Sequence, residues 1–238
     1  MAKERLDKLI ASTGRWSRRE VKTLVREDRV LVDGRIAGSA EEKYDAESCR
    51  IAVNGEELLL RRHTYVMLHK PAGVLSATED GRGRTVLDLL TPELRKIGVF
   101  PVGRLDKDTE GLLLLTDDGE LAHALLSPKK HVDKVYYARV SGRLAPEDCA
   151  AFEAGMTLGD GLECLPAGLE ILAAGETSEC LVTLREGKFH QVKRMLAARG
   201  KPVTYLKRLS MGSLRLDDTL APGEFRLLTA AEEAQLQR

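Results

Sequence analysis

The stretch GRLDKDTEGLLLLTDDG, residues 103–119, decides how the rest of the chain is read. A polar, glycine-flanked loop carrying Asp106 runs directly into four consecutive leucines, Leu112 to Leu115. The leucine block is too short for a membrane and lies between turn signals, so it reads as a buried core strand. Asp117 and Asp118 close that strand, and Leu121, Leu125 and Leu126 mark a helix behind it. A strand locked into a core fixes the loop before it, and such loops are common places for chemistry. Apolar walls would strengthen any charge contact of Asp106, which needs a cation to stay ionised there. Arg104 is near in sequence, although a strand-end arginine can equally point outward.

Outward from this loop, TYVMLHKPAGVLS is an extended apolar segment broken by Pro71 and Gly73, and VLDLL (86–90) reads as a short helix. The 238 residues are 43% hydrophobic and 31% charged, enough for one large core or two unequal domains. The opening MAKERLDKLI has no continuous apolar block and does not read as a signal peptide. Cys49, Cys149, Cys164 and Cys180 are scattered and read as reduced packing residues of a cytoplasmic protein. The five histidines lack the usual ligand spacing, and there is no P-loop or dinucleotide fingerprint. No metal, cofactor or membrane partner is expected, and the chain is expected to be a monomer.

Net charge is zero, but its distribution is uneven. Residues 145–180 hold eight Asp or Glu and no Lys or Arg, whereas residues 185–208 hold eight Lys or Arg opposed only by Glu186. Residues 1–35 carry ten basic and six acidic groups. A polyanion responds to the local field, so the basic segments mark candidate nucleic-acid surfaces.

The first sixty residues read as a separate unit. Leu6, Leu9 and Ile10 fall at helical spacing before Gly14, and Ser17–Glu20 forms a capping box for a helix burying Val21, Leu24 and Val25. Arg18, Lys22 and Arg26 share the other face, with Arg15 and Arg19 beside them. Like charges at this spacing repel, and a phosphate backbone is the expected compensator. Asp33–Gly34 and Asn54–Gly55 read as hairpin turns. Residues 3–62 resemble the RNA-binding domain named after ribosomal small-subunit protein four. That resemblance implies that Arg15, Arg18, Arg19, Lys22 and Arg26 contact RNA.

The opening loop resembles the signature loop of the RNA pseudouridine synthases. Two more segments agree: DKVYYARV (133–140), with Lys134 and Tyr136 as the family's K-x-Y element, and REGKFHQVKRMLAARG (185–200). The resemblance covers residues 3–230 and implies isomerisation of uridine in ribosomal RNA by Asp106, with the base flipped out of its stack. It implies that Tyr136 stacks on that base and that Lys193 pairs with Asp106, where many relatives have arginine. Arg104, Lys188, His190, Gln191 and Arg194 are the further expected RNA contacts. The His190–Gln191–Val192–Lys193 form, with LAPGEFRLLT near the end, is closest to the branch acting on small-subunit (16S) RNA, and large-subunit branches usually have Asn–Arg in place of Phe189–His190. Asp108, Asp117 and Asp118 read as turn residues, and Tyr137 as packing on the face opposite Tyr136.

The expected fold is α+β: a small helix-rich RNA-binding domain over residues 1–62, and a catalytic domain over 63–238 with a mixed, mainly antiparallel sheet. Alternative readings are a synthase acting on large-subunit (23S) RNA, a non-catalytic ribosome-assembly factor, and a hydrolase. A glycoside hydrolase needs a positioned carboxylate pair, and no second acid stands out. The expected partner is ribosomal RNA or a pre-ribosomal small-subunit particle.

Overall fold

The computed structural model describes residues 3–46, 48–127 and 130–236. The chain forms two compact units: Met1–Thr64 with Leu90–Val99 and Thr116–Asp118, and Tyr65–Leu89 with Phe100–Leu115 and Gly119–Arg238. The two later segments that join the first unit carry no sequence signal for doing so. Among the described residues, no helix is long and apolar enough to cross a membrane.

In the first unit, helices Leu6–Ala11 and Arg18–Arg26 close over a small sheet. The capping box is formed: Glu20 N–H donates to Ser17 Oγ at 3.3 Å, and Ser17 N–H donates to the Glu20 carboxylate at 2.6 Å. Val21, Leu24 and Val25 are buried against Leu6, Ile10, Val30 and Ile51. Gly14 has φ +73°, and a Cβ there would lie 2.2 Å from the Glu93 carbonyl oxygen, so only glycine fits. Both hairpin turns have two positive-φ residues, Asp33–Gly34 and Asn54–Gly55, the type I′ geometry. The four-stranded sheet runs Arg35–Ile36, Val30–Val32, Ile51–Val53, Glu56–Glu57.

The cations of this unit depart from expectation. Asp7 is wholly buried and pairs with Arg5 at 2.9 Å and Arg18 at 3.0 Å. Burial pushes its carboxyl up, but hydrogen bonds from Arg5 and Arg18 outweigh that and hold it below its usual range. Lys22 pairs with Glu41 at 3.2 Å and Arg15 with Glu56 at 2.6 Å. Three of the five cations are thus compensated inside the protein, and no phosphate is required to explain their crowding. Arg19 and Arg26 are exposed and make no ion pair with a described residue.

The second unit is a nine-stranded sheet among the described residues, with helices packed around it. Its main path runs Gly168–Ala173, Thr177–Leu184, Lys134–Ser141, Val203–Met211, Glu110–Thr116, Tyr65–Lys70, Phe225–Leu227. Most pairings are antiparallel, but Glu110–Thr116 joins Val203–Met211 in parallel, with Lys207 opposite Glu110 and Arg208 opposite Gly111. All four leucines of the block are fully buried, as a central strand requires. Arg208 is also buried, and its Nε donates to the Leu112 carbonyl at 2.8 Å. This arginine belongs to the sheet interior rather than to the basic surface that residues 185–208 suggested. Residues 86–90 yield a short 3₁₀ turn, Val86–Leu89.

Gly111 sits where the signature loop becomes strand. It has φ +104°, and a Cβ would lie 2.2 Å from the Arg208 carbonyl oxygen and 2.6 Å from its nitrogen. Gly73, at φ +86°, faces open space. Gly111→Ala should therefore cost about 2–5 kcal/mol of unfolding free energy, combining left-handed strain with overpacking. Gly73→Ala should cost about 1–2 kcal/mol, strain alone. Urea unfolding of both variants checks this, and equal costs would contradict the close approach at Gly111.

Candidate active site

The loop Arg104–Thr109 is held by its backbone before any of its side chains acts. Thr109 N–H closes a turn onto the Asp106 carbonyl at 3.1 Å, and Gly73 N–H donates to the Lys107 carbonyl at 2.7 Å. Ser76 Oγ donates to the Leu105 carbonyl at 3.0 Å and accepts from Leu105 N–H at 3.1 Å. Lys70 is fully buried, and its ammonium donates to the carbonyls of Pro71 (3.0 Å), Lys107 (3.2 Å) and Thr109 (2.8 Å). Burial pulls Lys70 down to about 8, against the opposing pull of Asp108, Asp106 and Glu110. Sequence reading missed Lys70, and its one signal is a lysine ending an otherwise apolar strand segment, YVMLHK.

The carboxylates of this loop meet the helix Gln191–Ala198. Lys193 Nζ lies 3.1 Å from Asp106 Oδ2 and 2.5 Å from Asp108 Oδ1. His190 Nε2 lies 3.4 Å from Asp106 Oδ1. The expected Lys193–Asp106 contact is present, but Asp108, read as a turn residue, is the nearer partner. Burial opposes the charge on Lys193, but hydrogen bonds to Asp108 and Asp106 prevail and raise it above the usual lysine range. The hydrogen bond from Lys193 likewise holds Asp108 below the usual carboxylate range. The side chains of Asp106 and Lys193 are 23% and 22% exposed, so the site is partly wet without RNA.

Tyr136 is buried on the strand Lys134–Ser141, opposite Val182 and Arg208 in register. It lines the same cleft as Asp106, Thr109, Leu184, His190, Gln191 and Leu206. Tyr137 faces the other way, edge-on to Tyr205 with ring centroids 6.1 Å apart. Arg104 is exposed at the cleft wall. A larger groove of about 580 Å³ borders Val135, Leu181 and Thr183 and contains none of the expected catalytic or RNA-contacting residues.

The remaining expected RNA contacts are engaged within the protein. Gln191 is buried; its Oε1 accepts from Lys188 N–H at 3.0 Å and its Nε2 donates to Glu186 at 2.6 Å. Buried Glu186 also accepts from Leu165 N–H at 2.9 Å and pairs with Lys188 at 3.0 Å. Lys188 bonds the Glu163 carbonyl as well, and Arg194 pairs with Asp160 at 2.5 Å. Gln191 thus braces the turn before the helix. His190 stands at the N-cap of that helix with φ +51°, a left-handed conformation uncommon outside glycine.

A cation-held carboxylate beside a buried tyrosine, on one cleft of a mixed sheet, suits chemistry on a planar base. The family model for RNA pseudouridylate synthase matches residues 64–198, and that for the S4 domain matches residues 4–48. An uncharacterized RNA pseudouridine synthase of Bacillus subtilis is 50% identical over 96% of both chains. The ribosomal small subunit pseudouridine synthase A of Vibrio cholerae is 40% identical, over 98% of this chain and 99% of that one. The ribosomal large subunit pseudouridine synthase B of Bacillus subtilis is 38% identical, over 98% and 96%. A solved pseudouridylate synthase superposes with a TM-score of 0.68 at 35% identity, covering 98% of this chain and 99% of that one. The three motifs, the cleft they build and the full-length similarity agree: this chain belongs to the RNA pseudouridylate synthase family, as a pseudouridine synthase with an N-terminal S4 domain.

Proposed function

We propose that the enzyme isomerises a uridine of small-subunit ribosomal RNA, using Asp106 as its catalytic carboxylate. The observation that carries this is Lys193 Nζ at 3.1 Å from Asp106 Oδ2, in a cleft that Tyr136 also lines. The N1–C1′ bond breaks, the base turns, C5 bonds to C1′, and the proton lost from C5 is balanced by one gained at N1. Asp106 serves as nucleophile or base, and both roles require its charged form. Lys193 supplies the compensating charge, shared with Asp108. Tyr136 packs against the flipped uracil, whose arrival would displace water from the partly exposed acid.

The small-subunit assignment is supported by the similarity to the Vibrio cholerae enzyme and by Phe189–His190 in place of Asn–Arg. The Bacillus subtilis large-subunit relative favours a second reading, a large-subunit target. The substrate is naked ribosomal RNA or a pre-ribosomal small-subunit particle, met by a monomer in the cytoplasm. Residues 1–62 act as the anchoring domain, and Arg19 and Arg26 are their strongest phosphate contacts because no described acid pairs with them. Pseudouridine mapping in ribosomal RNA from cells with and without the gene tests the target. Loss of a small-subunit site is expected; loss confined to large-subunit RNA would overturn the assignment.

The role of Asp106 is tested by Asp106→Asn, which keeps the shape and removes the charge. Tritium release from C5-labelled RNA should fall to about one-thousandth of wild type or less. RNA affinity should stay close to wild type. Turnover near the wild-type rate would remove Asp106 from the chemistry.

For the anchoring role, the Arg19→Ala/Arg26→Ala variant should bind RNA more weakly at low salt. Its log Kd against log salt should flatten by about 1.4–1.8, the share of two phosphate contacts. An unchanged slope would make this helix face a solvated surface only. Arg18 is avoided because its removal strips a partner from buried Asp7.

A further inference from the structure

Phe189 is 75% exposed, the most exposed large hydrophobic side chain among the described residues and the one aromatic in that group. One face of its ring is covered by His190, with centroids 3.8 Å apart and planes 18° from parallel. The other face is open to solvent. We propose that this open face is a stacking platform for an RNA base next to the target uridine. The proposal rests on the reading that the Asp106 cleft receives that uridine.

Three features support it. The platform is rigid, because the turn carrying it is closed twice: Gln191 N–H donates to the Lys188 carbonyl at 3.2 Å, and Lys188 N–H donates to Gln191 Oε1 at 3.0 Å. Glu186 then ties Gln191 Nε2 into the interior. The following residue, His190, holds a left-handed φ of +51°, a strained state that the surrounding bonds enforce and that sets both rings side by side.

Position is the second feature. His190 stacks on Phe189 and its Nε2 lies 3.4 Å from Asp106 Oδ1, and Phe189 itself does not line the cleft. A base on the outer face of Phe189 is therefore outside the cleft, at the place of a neighbouring nucleotide rather than of the uridine undergoing reaction. Flipping that uridine leaves its neighbours without a stacking partner, and an aromatic face replaces what was lost.

Charge is the third. Arg104 is exposed at the wall of the cleft beside the platform. A cationic flank with an exposed aromatic suits single-stranded RNA, where stacking tolerates any base and basic groups take the backbone.

The test uses Phe189→Leu, Phe189→Tyr and Phe189→Trp in the full chain. Phe189→Leu keeps apolar bulk without an aromatic face, and its kcat/KM for tritium release from ribosomal RNA should fall about 5- to 150-fold, the equivalent of one stacked base. Phe189→Tyr and Phe189→Trp should stay within about threefold of wild type, since each keeps a stacking face. Phe189→Trp also supplies a direct signal, because the chain's single native tryptophan is Trp16. Titration with single-stranded oligouridylate should quench the new fluorescence beyond any change of the wild type. Equal activity of the Leu and Trp variants, or RNA binding by anisotropy without added quenching, overturns the proposal, as does loss of activity tied to concentration-dependent self-association of the wild type. Repeating the quenching on Phe189→Trp/Asp106→Asn separates the two readings. Quenching without turnover supports both, whereas quenching with full turnover keeps the platform and sinks the assignment of Asp106.

Discussion

An acidic loop held by two lysines is the constraint on which the site depends. Lys70 takes the loop's backbone carbonyls, and Lys193 takes its side-chain carboxylates. Burying an ammonium as deeply as Lys70 costs several kcal/mol, an expense met only by full hydrogen bonding. Three carbonyls satisfy it, and two of them belong to the loop. The loop can therefore not move without stranding a buried charge. That fixes where Asp106 and Asp108 meet the helix that carries Lys193.

In the proposed mechanism the same helix links catalysis to RNA engagement. Its N-terminal turn contains Gln191, whose buried amide organises Lys188, Glu186 and the strained His190. Lys193 follows within the first turn, so one brace positions both the cation facing Asp106 and the rings of Phe189 and His190. Lysine in place of arginine alters the balance. An ammonium is a point charge that divides between two acids, whereas a guanidinium fork would hold one carboxylate through two parallel bonds. Asp108 is thus a competitor for Lys193 as well as a neighbour of Asp106.

Much of this was legible in the sequence, for identifiable reasons. The leucine strand, the Ser17–Glu20 box and the two I′ turns are local patterns, and each formed as read. Tyr136 and Tyr137 followed from strand alternation. What escaped was long-range pairing of charge. Asp7 with Arg18, Lys70 with the loop carbonyls, and Asp108 with Lys193 are separated by 11, 37–39 and 85 positions, and no periodicity records such partners. Arg208 was miscounted for the same reason, since a basic run in sequence does not reveal which member turns into the sheet.

In the proposed mechanism Lys193 keeps Asp106 in its working, charged form. The most direct measurement is the pH dependence of the single-turnover rate for wild type, Lys193→Met and Lys193→Arg. Without the cation, the carboxylate keeps Asp108 as a neighbour and loses the counter-charge that lies 3.1 Å from it. The acidic limb of Lys193→Met should therefore move to higher pH, and activity should recover as pH rises. Lys193→Arg should restore an acidic limb close to wild type. An unshifted limb in Lys193→Met would contradict the account and leave Arg104, at the wall of the same cleft, as the cation to test.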